Sequence, residues 1–264
     1  MSVDVLHAPY GGDEEFELDV TNKVLEVICE DGPVIAVNKP SGIISQGAPQ
    51  GVDSLVSLVK DYLKEKYNKP GAVYLGVPHR LDRPVSGVVV FSRNSKCAAR
   101  LSEQFAKRQV EKTYLAVLEH LPEEPEGRLV DWLYRIPDEP KVIVTRPDRE
   151  GAKEATLRYR VVDHVRGRAV VAVRLETGRM HQIRVQFASR NCPIVGDTQY
   201  GAKGAFPGFP DSPRTSPIAL HGVQLTILHP VRYDRLPIRA PIPKSWSALG
   251  VNPEVLNKID FSDL

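Results

Sequence analysis

Asp82 lies in the segment of the sequence that is best suited to chemistry. His79, Arg80 and Arg83, three side chains that can carry positive charge, flank this carboxylate, and the apolar run 88–91 follows it. A nearby guanidinium favours the ionised carboxylate, which is the form that a nucleophile or a general base requires. Because residues two apart in an extended segment point the same way, we expect Arg80 and Asp82 to face one cleft. A surface loop held by ion pairs is an equally good interpretation of this composition.

The segment 176–184 is the second candidate. The apolar residues 170–175 predict a strand, and a helical apolar pattern follows it. His181 and Arg184 lie three residues apart and should share one face of that helix, with Arg179 just before them. A helix start with arginines beside it suits an anionic ligand. A solvated basic helix is the alternative.

Tyr114 is a candidate platform for a planar ligand. Strand alternation over 110–118 places Lys112 and Tyr114 on one side. An aromatic residue in a strand ordinarily belongs to the core, but beside Lys112 and after Arg108 it could instead stack on a nucleic-acid base. Lys39, in the turn after an apolar run, either belongs to an ordinary turn or contacts a nucleic-acid backbone.

The spacing of metal ligands and glycines does not indicate a metal or a nucleotide cofactor. Cys29, Cys97 and Cys192 lie far apart, and His221 and His229 have no cluster of cysteines or carboxylates near them. Neither a Walker-type nor a dinucleotide-binding glycine pattern occurs. We therefore expect a site that uses neither a metal nor a cofactor.

Short strands and a few helices must position these residues. Apolar runs and alternation predict strands at 34–37, 88–91, 110–118, 141–145, 155–163, 168–176 and 219–228. Helical spacing predicts helices over 53–67, from Ser95 onward, and over 180–187. Proline and glycine predict loops at 121–128 and 201–217. Many strands without regular strand-helix alternation predict an α+β fold around a mixed, largely antiparallel sheet, flanked by helices and loops.

Length and charge set the domain organisation. The 264 residues, 42% of them apolar, can bury one large core. We predict a flexible acidic arm at 1–20, one catalytic domain over 21–248 and a C-terminal tail at 249–264. The formal net charge of +2 does not by itself indicate nucleic-acid binding. No apolar run reaches the roughly 18 residues that span a bilayer, so we expect a soluble, cytoplasmic protein.

These motifs together resemble the RluA-type family of RNA pseudouridine synthases, over about residues 24–243. The segment 79–82, with Ser86 and Gly87 after it, is similar to the catalytic segment of that family. Val85 stands where the family usually has Thr, which puts only a local hydrogen bond in doubt. Two further motifs match in the expected order. They comprise Arg108, Val110, Lys112 and Tyr114, and then residues 177–184, 193–197 and 200–201.

The resemblance implies a pseudouridine synthase fold with a central catalytic cleft. Such a protein isomerises uridine in structured rRNA or tRNA to pseudouridine, without a cofactor. Asp82 would be the catalytic carboxylate, Arg184 would hold it, with Arg179 as the second choice, and Tyr114 would stack on the base. The enzyme should flip the uridine out of the RNA, and Arg80 would fill the vacated space.

Other basic side chains are candidates for contacts with the RNA. They are Lys39, Arg83, Arg108, Lys112, Arg179 and His181. A monomer suffices for this chemistry. The alternative is a catalytically silent RNA-binding protein on the same scaffold, against which the presence of Asp82, Tyr114 and Arg184 argues.

Overall fold

The computed structural model describes residues 25–212 and 216–264, so the predicted acidic arm at 1–20 lies outside the described residues. The described chain folds around one ten-stranded sheet. Its strands are β1 (Glu26–Asp31), β2 (Val34–Lys39), β3 (Ser86–Ser92), β4 (Glu111–Leu118), β5 (Glu126–Arg135), β6 (Val142–Thr145), β7 (Lys153–Val165), β8 (Arg168–Leu175), β9 (Leu220–Leu228) and β10 (Arg235–Arg239). Its helices are α1 (Leu55–Lys66), α2 (Ser95–Ala106), α3 (Gln182–Ala188) and α4 (Pro253–Leu256), with 3-10 turns at Thr198–Tyr200 and Lys244–Leu249.

The sheet runs in the order β1-β2-β3-β9-β4-β8-β7-β5-β6, and β10 pairs with β9 beside β3. Its neighbouring strands are antiparallel, except that β3 and β9 are parallel where Gly87 lies against Gly222. The prediction of an α+β fold on a mixed, largely antiparallel sheet is therefore confirmed.

The central strands and the two long helices form where the apolar pattern predicts them. Both faces of β3 are buried, which is why its sequence is a continuous apolar run. In α1, Leu55, Val59 and Leu63 recur every four residues and are fully buried against the sheet. Ser54 caps that helix by accepting a hydrogen bond from the Ser57 amide. Local patterning thus predicts the part of the sheet that supports the cleft.

Three strands are absent from the sequence prediction. The predicted loop at 121–128 overlaps β5, which begins at Glu126, and β1 and β10 were not recognised either. The start of β5 is polar and exposed, so its composition does not indicate a strand. It forms because Glu126 to Leu133 pairs residue by residue with β7, and such long-range pairing overrides local propensity.

Residues 249–264, the predicted tail, pack against the sheet. Leu249, Leu256 and Phe261 are buried in the main hydrophobic core. The predicted loop at 201–217 contains no helix or strand in its described part, and Phe206 anchors it in the same core. Among the described residues, no helix combines the length and the apolar character needed to cross a membrane.

Candidate active site

A cavity of about 360 Å³ opens between the segment before β3, the start of β4 and the segment that leads into α3. Seven of the ten predicted site residues line it: Arg80, Asp82, Lys112, Tyr114, Arg179, His181 and Arg184. They come from three regions that are far apart in the sequence, and the sheet brings them together. We refer to this cavity as the cleft.

The segment that carries Asp82 is held in place by hydrogen bonds from both sides. The Ser45 hydroxyl donates to the Leu81 carbonyl at 2.7 Å. The Lys39 ammonium donates to the carbonyls of Pro40, Arg83 and Val85 at 2.7 to 3.1 Å. The carboxylate itself remains 35% exposed and faces the cleft. Its backbone is therefore fixed while its oxygens stay accessible to a ligand.

Of the two interpretations of Lys39, the structure supports the ordinary turn. The Lys39 side chain is fully buried, and burial lowers the pKa of its ammonium to about 7, against the opposing charge of Asp82. The predicted contact of Lys39 with an RNA backbone is inconsistent with this burial, since its donors are used by protein carbonyls. Arg83 lies outside the cleft as well, and its Nε donates to the Gly42 carbonyl.

His79 is not a cation beside Asp82. Its Nε2 accepts a hydrogen bond from the Val90 amide, and its ring stacks on Phe105 with centroids 4.5 Å apart. Burial, and then the charge of Lys112, lowers the pKa of His79 to about 3, so the ring is neutral. The interpretation of His79 as a positively charged neighbour of Asp82 is wrong, because the ring belongs to the packing of α2 on the sheet.

Arg184 forms its closest ion pair with Asp197 rather than with Asp82. Its Nε and Nη2 donate to the two carboxylate oxygens of Asp197, both at 2.7 Å, and Nη2 also donates to Gln199. Nη1 is 3.8 Å from Oδ2 of Asp82. Burial disfavours the charge of this side chain, but the bond and charge of Asp197 outweigh it and raise the pKa of Arg184. A buried, permanently charged guanidinium therefore lies at the edge of contact with Asp82.

His181 begins α3 in the left-handed conformation, with φ +52°, and so does not share the helical face of Arg184 as predicted. Its Nδ1 is 2.8 Å from the Tyr200 hydroxyl, which also accepts a hydrogen bond from the Val142 amide. Burial raises the pKa of Tyr200 to about 12 and lowers the pKa of His181. Because the Tyr200 phenol is protonated, the His181 tautomer that we assign to this contact accepts from the hydroxyl at Nδ1. The ring proton then sits on Nε2, which is 3.6 Å from Oδ2 of Asp82.

Tyr114 lies on the wall of the cleft, half-buried on β4. Burial, followed by the charge of Asp82, raises the pKa of its phenol, so the side chain is neutral. A Cβ added at Gly222 would lie 3.4 Å from its ring, so the bare backbone of β9 supports the ring on that side. The ring is thus a fixed, uncharged surface within reach of the charge of Asp82.

The remaining basic residues surround the cleft. Arg80 is exposed at its lining, and Lys112 is half-buried beside Tyr114. The Nε of Arg179 donates to the Glu154 carbonyl, which holds that side chain at the edge of β7. Arg108 lines an adjacent smaller cavity instead of the cleft. The sequence analysis did not name Asp197, Gln199 or Tyr200 as site residues, although Asp197 and Tyr200 lie in the segments that matched the third family motif.

Comparisons with known proteins define the class of protein that this fold and cleft represent. The family model for RNA pseudouridylate synthase matches residues 33–189. Ribosomal large subunit pseudouridine synthase D of Xanthomonas campestris is 32% identical over 234 residues, which cover 85% of this chain and 68% of that protein. The protein of the same name from Xylella fastidiosa is 34% identical, and the match covers the same 85% of this chain and 68% of that protein.

The solved structure of human RNA pseudouridylate synthase domain containing 4 has the same fold, with a TM-score of 0.69 and 24% identity over 86% of this chain and 94% of that one. The chain belongs to the RNA pseudouridylate synthase family. It is an isomerase that acts on RNA, as the sequence motifs predicted.

Proposed function

We propose that Asp82 is the catalytic carboxylate and that the cleft isomerises an extruded uridine of ribosomal RNA. One observation carries the assignment of Asp82. It is an accessible carboxylate, 35% exposed, that lies 3.8 Å from a buried guanidinium and shares its cleft with a neutral tyrosine. A carboxylate placed so is accessible to a ligand and lies beside a fixed positive charge, which suits a nucleophile or a general base.

The reaction breaks the bond between C1′ of ribose and N1 of uracil and joins C1′ to C5. Asp82 either adds to C1′ and is displaced when C5 bonds there, or removes a ribose proton to give a glycal and returns it when C5 bonds to C1′; both routes begin with the carboxylate. The C5 proton leaves after the new bond has formed. Tyr114 stacks on the base, and its neutral phenol assists by relaying that proton, accepting it on oxygen while its own proton passes on towards N1 of the rotated base. Arg184 orients Asp82 and balances its charge.

The target uridine must leave its stack to reach Asp82, at a cost of a few kcal/mol. Arg80, which is exposed at the cleft, fills the vacated space in the RNA. Lys112, Arg179 and His181 contact the extruded nucleotide or its backbone from the cleft wall. The cleft residues named here come from one chain, so a monomer suffices for the proposed chemistry.

Large-subunit ribosomal RNA is the substrate that the relatives favour, because both bacterial proteins reported above carry that substrate in their names. Such a substrate would place the protein in the cytoplasm. The rival substrate is transfer RNA, and the rival function is RNA binding without catalysis on the same scaffold.

The test is release of tritium from RNA labelled at C5 of uridine. Separate transcripts of large-subunit ribosomal RNA and of bulk transfer RNA are incubated with the protein, and binding is recorded in parallel. We expect release from the ribosomal transcript. Release from transfer RNA alone would contradict the proposed substrate, and binding of both RNAs without release would show a silent RNA-binding protein.

A further inference from the structure

A second cavity, of about 140 Å³, lies directly beside the cleft. Phe105, Lys112 and Leu175 line both cavities, so the two are adjacent and the Lys112 side chain lies between them. The second cavity exists because β4 and β8 separate here. Their pairing stops at Thr113 and Arg174, while β4 continues along β9 as far as Glu111. The gap thus forms a side chamber that begins where the sheet stops.

The carboxylates of this chamber are already neutralised by arginines outside it. Glu111 pairs with Arg235 at 2.8 Å. Glu176 pairs with Arg128 at 2.7 Å and with Arg158 at 2.9 Å. None of these three arginines lines the chamber. The two acidic side chains therefore supply no free negative charge to the chamber wall.

Three cations line the chamber. Arg174 has no carboxylate partner but donates from Nη2 to the Phe261 carbonyl. Arg108 and Lys112 also have no carboxylate partner among residues 25–212 and 216–264, and these two interact with each other instead. Burial, and then the charge of Arg108, lowers the pKa of Lys112. Two like charges that face one small cavity repel each other, and an anion between them would relieve that repulsion.

The backbone also keeps Lys112 in this position. A Cβ added at Gly178 would lie 2.9 Å from the Lys112 Nζ, so the ammonium lies over bare backbone between the two cavities. Arg108 has φ +57° in the turn after α2, where its amide donates to the Phe105 carbonyl at 3.2 Å.

We propose that this chamber is a phosphate subsite, in which Arg108 and Lys112 hold one phosphodiester of the RNA strand next to the extruded uridine. The inference rests on the proposed function, because a uridine bound at Asp82 places the RNA strand so that one of its phosphodiesters enters the chamber. Phosphate is the anion that an RNA strand brings to a cleft, and two unpaired cations are the donors that it requires.

The test measures how the affinity for RNA depends on salt. A fluorescein-labelled oligouridylate is titrated by anisotropy over a range of potassium chloride concentrations. The proteins compared are wild type and the double variant Arg108→Gln with Lys112→Met. Each phosphate contact on a single strand contributes about 0.7 to the slope of log K against log salt. We expect the slope of the double variant to be shallower by about that amount.

Lys107→Met is the matched control. Lys107 is the neighbour of Arg108 but already pairs with Glu103 at 2.6 Å and does not line the chamber. Its slope should equal that of wild type, and Lys112→Arg should keep the wild-type slope as well. An unchanged slope in the double variant, or an equal loss in Lys107→Met, would overturn the proposal. Should the double variant not fold, Lys112→Met alone gives the same comparison.

Because the readout is binding, it is independent of turnover. A protein that releases no tritium from RNA but shows the reduced slope would refute the proposed function and keep the subsite. If the wild-type protein releases tritium but the double variant has an unchanged salt slope, the proposed function stands and the subsite is refuted.

Discussion

The charge around Asp82 is divided among several side chains. A direct bidentate pair with Arg184 would occupy both oxygens of Asp82. Instead Asp197 takes that role at 2.7 Å, and Asp82 is left with contacts of 3.6 and 3.8 Å to His181 and Arg184. The arrangement supplies positive charge to Asp82 without covering its oxygens. This is the feature that local spacing in the sequence could not predict, since Asp197 lies 13 residues from Arg184 in a separate turn.

The hydroxyl of Tyr200 has a testable role at this scale, because its bond to Nδ1 fixes the His181 proton on Nε2, facing Asp82. Tyr200→Phe removes that donor and frees the ring to adopt the other tautomer. A lost hydrogen bond of about 1.4 kcal/mol corresponds to about a tenfold fall in kcat. We expect that fall with KM nearly unchanged, measured by steady-state tritium release.

Tyr134→Phe is the comparison for this variant, because Tyr134 packs under Arg149 outside the cleft. It should leave both constants at their wild-type values. Tyr200→Phe should also lose some thermal stability, because the buried Val142 amide loses its acceptor. If the variant retains the wild-type kcat, the hydroxyl does not position His181.

At the level of strands, the close approach of β3 and β9 places the Asp82 segment against the Tyr114 wall. The two strands pair in parallel over only two residue pairs. At Gly87 an added Cβ would lie 2.3 to 2.6 Å from the Gly222 backbone, and φ is +125°. No side chain fits there without moving one strand away from the other.

Gly87→Ala should therefore lower the free energy of unfolding by about 3 kcal/mol, through overpacking and backbone strain together. Loss of activity should accompany it, because Asp82 lies only five residues earlier in the chain. Urea denaturation gives the first quantity and tritium release the second.

Gly167→Ala provides the matched case, with φ +76° but nothing within 4 Å of the added Cβ. Backbone strain alone should lower the free energy of unfolding of Gly167→Ala by about 1 kcal/mol. If both substitutions lower the free energy of unfolding equally, the close contact between β3 and β9 contributes nothing to the cost at Gly87.

The elements differ in how far the sequence predicts them. Strands β2, β3 and β4 and helices α1 and α2 follow from apolar runs and helical spacing, since their burial is continuous or strictly periodic. Strand β5 does not, because its first residues are polar and exposed and its partner β7 determines its conformation. The start of α3 was placed too early for a comparable reason, since the left-handed conformation of His181 leaves no pattern in the apolar residues.

For the molecule as a whole, the sheet order explains why a site assembled from distant segments could still be predicted in part. The chain places β9 between β3 and β4, which sets the Asp82 segment opposite Tyr114. Motifs identify the residues that face the cleft, and seven of the ten predicted residues line it. Motifs do not report how a side chain is packed. Lys39 is fully buried and His79 stacks on Phe105, and this is why both were misplaced among the charged contacts.

The central claim is that the Asp82 carboxylate carries out the chemistry while the rest of the cleft binds the RNA. Its most direct test is the single-turnover rate of tritium release by Asp82→Asn, measured with the RNA affinity of the same preparation. Asparagine keeps the size of the side chain and removes its charge. We predict a fall of about four orders of magnitude or more in rate, with affinity close to that of wild type. A rate within about tenfold of wild type would contradict the assignment of Asp82.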